Sequence, residues 1–143
     1  MRTFFDTNIL VYLFDADAGK KKETASYIFQ KEASAGRALL STQVLQEFYV
    51  VVTRKLQEPL EPDSAEGVVR DLSCLPVVTI NSDSVLSAIG RSRKMVLSFW
   101  DALIIETALV GGASRIITED LQHGQVIDGL QIENPFLDDM SNP

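Results

Sequence analysis

The chain has 143 residues, which favours one domain, and its 45% hydrophobic and 23% charged residues are proportions of a globular protein. Its single cysteine, Cys74, excludes an intrachain disulfide, and one cysteine with one histidine cannot build a typical structural zinc site or a Cys–His nucleophile. The net charge of −7 should repel polyanions, so a nucleic-acid partner would need local basic patches or bound cations.

The sequence shows no targeting or membrane segment. An acid, Asp6, follows the N-terminus before any apolar run of signal-peptide length. No stretch approaches the roughly 18 uncharged apolar residues of a membrane span. We therefore expect a soluble, cytoplasmic protein in which Cys74 is a buried, reduced thiol.

Short strand-like runs alternate with helical patterns along the chain. In the first half of the chain we predict a strand at 3–5, an apolar run at 8–14, a helix at 20–35, a strand at 38–40 and a helix at 42–56 that Ser41 or Thr42 caps. A further helix, capped by Asp63 or Ser64, should end near 72. The second half should then contain a strand at 75–80, helices at 82–91 and 98–110, and strands at 115–117 and 130–132. Strands separated by helices predict an α/β fold with a central, mostly parallel sheet and helices on both faces. We assign residues 1–137 to a single domain and residues 138–143 to a short flexible tail.

Two acids stand just beyond the ends of strands. Asp6 comes after the first strand, and Asp120 follows the strand at 115–117. In parallel sheets the ligand site lies beyond the C-terminal strand ends, so both are candidate site residues. The alternative is an ordinary turn or helix-capping role for each.

Two further acids lie in helices. Glu47 flanks the apolar face that contains Val44 and Val51, and the alternative is an exposed helix acid. Asp101 stands in the first turn of a helix that is apolar almost all round, where a buried carboxylate needs a partner. Its alternative is a capping-box-like pair with Ser98.

Taken together, the four acids predict a metal site. Carboxylates that converge in a cleft repel one another and raise one another's pKa, and a divalent cation removes that conflict. Oxygen ligands without nearby histidine or cysteine favour Mg²⁺ or Mn²⁺, as one or two ions.

The same residues carry a family resemblance that covers nearly the whole chain. They stand in Asp6-Thr7-Asn8 after the first strand, Glu47 in Gln-Glu-Phe, Asp101 in Phe-Trp-Asp-Ala-Leu, and Thr118-Glu119-Asp120. In this order they resemble PIN-domain proteins of the VapC toxin type. Many relatives carry a further acid two residues after the last Asp, where this chain has Gln122.

The resemblance implies a PIN-like nuclease fold, metal-dependent endoribonuclease activity and inhibition by a small antitoxin protein. We also expect a homodimer, for which the apolar, amphipathic helices offer a surface. Asp6 and Asp101 would be direct metal ligands, Glu47 and Asp120 ligands or a base, and Asn8 and Thr118 supporting residues. A metal would acidify a water molecule that attacks the RNA phosphodiester, leaving a 5′-phosphate and a 3′-hydroxyl.

Basic residues cluster at 20–22, at 54–55 and at 91–94. Arg91, Arg93 and Lys94 lie just upstream of Asp101, so we predict that they contact RNA phosphates, the alternative being a solvated charge run.

Two other functions stay open. One is a non-catalytic PIN-like module that binds RNA or protein, and the other is a phosphotransfer domain, although Asn81-Ser82 follows the central strand where a receiver domain carries its acceptor Asp.

Overall fold

The computed structural model describes residues 1–137, so the tail predicted at 138–143 lies outside the described residues. Strands and helices alternate through this range as the sequence pattern predicts. In chain order they are β1 (Arg2–Phe5), α1 (Thr7–Tyr12), α2 (Lys20–Ser34), β2 (Ala38–Ser41), α3 (Thr42–Arg54), α4 (Pro62–Leu72), β3 (Val77–Val78), α5 (Ser82–Met95), α6 (Phe99–Val110), β4 (Ala113–Ile117), β5 (Val126–Ile127) and β6 (Leu130–Glu133).

The strands form one six-stranded sheet in the order β3-β2-β1-β4-β6-β5. Every neighbouring pair is parallel except β5 with β6, which is antiparallel. Helix α6 packs against β2, β3, β4 and β6, whereas α2 and α3 pack against β2. The predicted α/β architecture with a mostly parallel sheet is confirmed.

Local sequence explains where the helices beside the site begin. Ser41 accepts the N–H of Val44 and so caps α3, whose residues Val44, Phe48 and Val52 then recur on one buried face. The middle of helix α6 is apolar and buried, from Ala102 to Ile105 and at Ala108, whereas Trp100 near its start and Val110 at its end are exposed. Among residues 1–137, no helix has the length and apolar character needed to cross a bilayer.

Gly111 ends α6 where the chain passes very close to the core. A Cβ at this position would lie 2.5 Å from Leu39 Cδ2 and 2.7 Å from Val78 Cγ2. The absence of a side chain therefore allows the helix end to pack directly on β2 and β3.

Several boundaries differ from the prediction. The apolar run at 8–14 contains α1, the predicted strand at 75–80 shortens to β3, and β5 was not predicted at all. Helix α4 begins at Pro62, since proline is well suited to a first helical turn, and α5 continues to Met95.

The prediction of a buried Cys74 was wrong. The thiol is exposed, in the turn that follows the end of α4, and its Sγ lies 3.6 Å from the carbonyl oxygen of Arg70. The following strand begins only at Val77, so Cys74 lies in a turn at the surface. The apolar residues beside Cys74 in the sequence therefore did not indicate that its side chain is buried.

Candidate active site

The C-terminal ends of β1 and β4 lie side by side. Phe5 pairs with Ile117, and the N–H of Asp6 donates to the Ile117 carbonyl oxygen at 3.1 Å. A cavity of about 520 Å³ opens at this edge of the sheet. All four predicted acids and the predicted supporting residue Asn8 line it; the acids are Asp6, Glu47, Asp101 and Asp120.

Asp6 is held by two hydrogen bonds. Its Oδ1 accepts the N–H of Thr7 at 2.7 Å, and its Oδ2 accepts the hydroxyl of Thr118 at 2.7 Å. The first bond caps α1, so the capping role considered above coexists with a place in the cavity. Burial raises the pKa of Asp6 to about 6 despite these donors, and the negative charges of Asp120 and Glu47 contribute to the rise.

Glu47 projects from α3 and is held by residues from two helices. Its Oε1 accepts the hydroxyl of Thr7 at 2.6 Å, and its Oε2 accepts Gln43 Nε2 at 3.4 Å. Thr7 thus connects Glu47 to Asp6. The other amide atom, Gln43 Oε1, is buried and has no hydrogen-bond donor within residues 1–137, which makes it an orphaned oxygen beside the acids.

Asp101 and Asp120 complete the carboxylate set. Ser98 Oγ accepts the N–H of Asp101 at 3.1 Å and so caps α6, while the half-buried Asp101 lines the cavity. The N–H of Asp120 donates to Thr118 Oγ1 at 3.1 Å. Partial burial raises the pKa of Asp120 above its ordinary value, and the charges of Glu119 and Asp101 raise it further.

Glu119, between Thr118 and Asp120, anchors the segment after β4 to the first two helices. The Tyr12 hydroxyl donates to Glu119 Oε1, and Lys21 Nζ lies 2.8 Å from Oε2. Burial raises the pKa of Tyr12 to about 12, and its bond to Glu119 adds to the shift. These contacts fix the backbone that carries Asp120.

The predicted RNA-binding cations lie elsewhere. Arg91 is paired with Glu106 at 2.7 Å and with Asp128 at 2.8 Å, and with Lys94 it lines a second cavity of about 630 Å³. Arg93 is exposed near the end of α5. The structure does not place any of the three on the wall of the acidic cavity.

Sequence reasoning missed several residues that line the acidic cavity, among them Thr7, Gln43 and Trp100. Thr7 stands inside the Asp-Thr-Asn motif, and Gln43 lies four residues before Glu47 on the same side of α3, so helical spacing was an available signal. Trp100 precedes Asp101 and is exposed despite its size.

The donor set suits a hard divalent cation. Four carboxylates and the orphaned oxygen of Gln43 offer only oxygen ligands, and burial together with the neighbouring carboxylates raises the pKa values of Asp6 and Asp120. In the part of the chain that the structure describes, however, no three Asp, Glu, His or Cys side chains are grouped as a ready ligand set. Side-chain rotation would therefore have to accompany binding of an ion.

Comparisons with solved structures place the fold. A toxin–antitoxin complex from Klebsiella pneumoniae matches with a TM-score of 0.67 at 23% identity, over 93% of this chain and 97% of that one. VapBC2 from Rickettsia felis, bound to a promoter DNA fragment, matches with a TM-score of 0.64 at 18% identity, over 94% and 98%. Mycobacterium tuberculosis VapC20, described as a sarcin-ricin-loop-cleaving toxin, matches with a TM-score of 0.59 at 18% identity, over 80% and 86%.

Sequence comparison identifies the family. No curated protein matches the chain significantly. The family model described as PIN domain matches residues 3–127, which is most of the chain and includes all four acids of the cavity. The chain therefore belongs to the PIN-domain family.

Proposed function

We propose that this protein is a metal-dependent endoribonuclease and the toxin of a toxin–antitoxin pair. One observation carries the proposal: Asp6, Glu47, Asp101 and Asp120, from separate parts of the chain, line one cavity at the end of a parallel sheet. The PIN-domain match supports nuclease chemistry, and the similar structures include a toxin described as cleaving the sarcin-ricin loop.

Mg²⁺ or Mn²⁺, as one or two ions, is the proposed cofactor. Asp6 and Asp101 would hold it directly, and Glu47 and Asp120 would bind it directly or through water. When bound, the cation would acidify a water molecule and neutralise charge that develops on the phosphate. Each divalent ion would also offset two of the seven net negative charges at the place where RNA must approach.

The chain's own residues would orient the reaction. Thr118 and Thr7 donate to the two oxygens of Asp6, and Thr7 with Gln43 donates to Glu47, so these hydrogen bonds orient both carboxylates before an ion binds. Glu47 or Asp120 would accept the proton of the attacking water. In-line attack at phosphorus would break the P–O3′ bond, and the leaving O3′ would take a proton from solvent water, which leaves a 5′-phosphate and a 3′-hydroxyl.

An antitoxin and a second copy of the chain are the proposed protein partners. The Klebsiella and Rickettsia structures are toxin–antitoxin assemblies. An almost wholly apolar groove on α3 and α4, which shares Gln46 and Val50 with the acidic cavity, would suit a small antitoxin segment. Its other lining residues are Leu45, Tyr49, Glu66 and Val69.

A non-catalytic RNA- or protein-binding module is the second candidate function. It is favoured by the finding that no acidic, histidine or cysteine side chains within residues 1–137 are grouped as a ready metal site. It would leave unexplained why the carboxylates converge, since a binding surface gains little from mutually repelling acids.

Cleavage of RNA by Asp6→Asn and Asp101→Asn proteins distinguishes the two. We expect the wild type to cut total cellular RNA with Mg²⁺ or Mn²⁺ and to stop when EDTA is added. Either variant should be slower by roughly 100-fold or more, because a metal ligand supplies several kcal/mol of transition-state stabilisation.

Glu58→Gln is the matched control, since Glu58 is an exposed acid outside the cavity. It should cleave like the wild type, and circular dichroism should show that all variants fold. Cleavage that persists at the wild-type rate in either folded cavity variant would remove that residue from the site. A wild type without metal-dependent cleavage would favour the binding module.

A further inference from the structure

An exposed tryptophan stands on the wall of the acidic cavity. Trp100 is 61% exposed and lines the cavity directly beside Asp101 in the first turn of α6. Tryptophan is normally largely buried, because its indole ring carries more apolar surface than almost any other side chain. Its exposure next to a candidate catalytic acid therefore needs an explanation.

The indole ring has an aromatic neighbour on one side. Phe99 packs against it edge to face, with ring centroids 5.1 Å apart and an interplanar angle of 76°. Ser98 caps the same helical turn through the N–H of Asp101. A flat, exposed aromatic side chain with only two torsion angles can bind another ring without losing much side-chain entropy.

The cavity also holds a cation that suits a nucleic-acid backbone. Lys55 follows the end of α3 and lines the cavity, and within residues 1–137 no carboxylate oxygen lies within 4 Å of its ammonium group. An ammonium group can pair with a backbone phosphate, whereas an indole ring can stack on a base. Both chemistries thus border the four carboxylates.

We propose that Trp100 stacks on the base of a nucleotide next to the cleaved phosphodiester bond, with Lys55 near the RNA backbone. The proposal rests on the nuclease function proposed above. Trp100 and Asp101 line the same cavity, so a phosphate held at Asp101 has its neighbouring nucleotide within reach of the Trp100 ring. Stacking requires an unpaired base, which makes Trp100 a specificity-determining residue.

A double-mutant cycle between protein and RNA tests the proposal. The substrate is a synthetic single-stranded RNA that spans a cleavage site mapped with the wild type, and a set of variants carries one abasic nucleotide on either side of the cut. We expect Trp100→Ala to lower kcat/KM roughly 5- to 150-fold on the intact RNA, chiefly through KM. Trp100→Phe should retain most of the activity, because it keeps an aromatic face.

On the RNA that lacks the stacked base, the kcat/KM of the wild type should fall by the same factor as Trp100→Ala causes on the intact RNA. The kcat/KM of Trp100→Ala should fall little further on that RNA. Tyr27→Ala is the control, because Tyr27 is 68% exposed on α2 and lies outside the cavity. Unchanged kcat/KM in Trp100→Ala, or losses that multiply at every abasic position, would overturn the stacking role while metal-dependent cleavage by the wild type still stands. A changed oligomeric state of Trp100→Ala in light scattering, with an activity loss independent of the abasic position, would instead make Trp100 an interface residue.

Discussion

Thr7 serves two carboxylates of the cavity at once. Its N–H donates to Asp6 and its hydroxyl donates to Glu47 at 2.6 Å. Donors of this kind fix which carboxylate oxygens remain available to a ligand. We therefore expect Thr7→Val, which removes only the hydroxyl and keeps the branched shape and the N–H, to lower metal-dependent cleavage roughly 10- to 100-fold.

The measurement is single-turnover cleavage over a titration of Mn²⁺, in which Thr7→Val should also need more metal for half-maximal rate. Thr53→Val is the matched control, because the Thr53 hydroxyl donates to the backbone carbonyl oxygens of Tyr49 and Val50 within α3 and not to an acid of the cavity. Identical titration curves for the two variants would show that the Thr7 hydroxyl does not orient Glu47.

Individual site residues differ in how far the sequence predicts them. Asp6 and Asp120 were predictable as residues after strands, and Asp101 was predictable as an acid in an apolar helix. The bond from Thr7 to Glu47 spans 40 residues, and the pairing of Arg91 with Asp128 spans 37. Such contacts depend on how elements pack, so a basic run that suggests RNA binding does not reveal that Arg91 already has carboxylate partners.

At the scale of elements, Glu32 on α2 joins the helix to two strands. The carboxylate is almost wholly buried and accepts the hydroxyl of Thr3 on β1. It pairs with Arg37 at 2.7 Å and with Arg115 on β4 at 3.2 Å, while Arg115 also pairs with Glu133 on β6. These donors, with Arg37 foremost, lower the pKa of Glu32 to about 2.

The lowered pKa of Glu32 predicts acid-sensitive stability. Because the charged form is favoured in the folded state, its contribution is present above the ordinary pKa of 4.5 and is lost as pH falls towards 2. The difference corresponds to about 3 kcal/mol. Glu32→Gln should therefore be less stable than the wild type at pH 7, and the gap in unfolding free energy should narrow between pH 5 and pH 3 in urea titrations.

Glu66→Gln provides the comparison for Glu32→Gln. Glu66 pairs with Arg70 one turn along α4, but both side chains are mostly exposed, so the pair should contribute at most about 1 kcal/mol. A gap for Glu32→Gln that stays constant from pH 7 to pH 3 would contradict a role for the ionised carboxylate.

The elements themselves were predictable where they are long enough to show a period. Helices α2, α3 and α6 follow the predicted ranges closely, because serine caps mark the starts of α3 and α6 and glycines flank α2. Strands β3 and β5 have two residues each, too few to show alternation, and their place in the sheet depends on pairing with β2 and β6. Helix α1 has six residues in a continuous apolar run, where helix and strand patterns look alike.

At the scale of the whole molecule, the negative charge gathered in the acidic cavity affects the stability of the folded protein. The chain carries a net charge of −7, and burial, together with the charges of Asp120 and Glu47, raises the pKa of Asp6 to about 6. Bringing these acids together in the folded state therefore lowers the stability of the protein. A ligand that binds only the folded state stabilises it by mass action, by roughly 2.7 kcal/mol at 100 times its Kd. For a domain of this size that corresponds to an increase in Tm of roughly 5 to 10 °C.

We therefore expect Mn²⁺ or Mg²⁺ to raise the Tm of the wild type in thermal unfolding, at ionic strength held constant with NaCl. Asp101→Asn should lose most of the increase because it removes a proposed ligand, whereas Glu58→Gln should keep it because Glu58 lies outside the cavity. Constant ionic strength matters, since general screening of the net charge would raise the Tm of all three proteins alike. An equal increase in all three would therefore mean that the cation acts on the overall charge and not in the cavity formed by the four carboxylates.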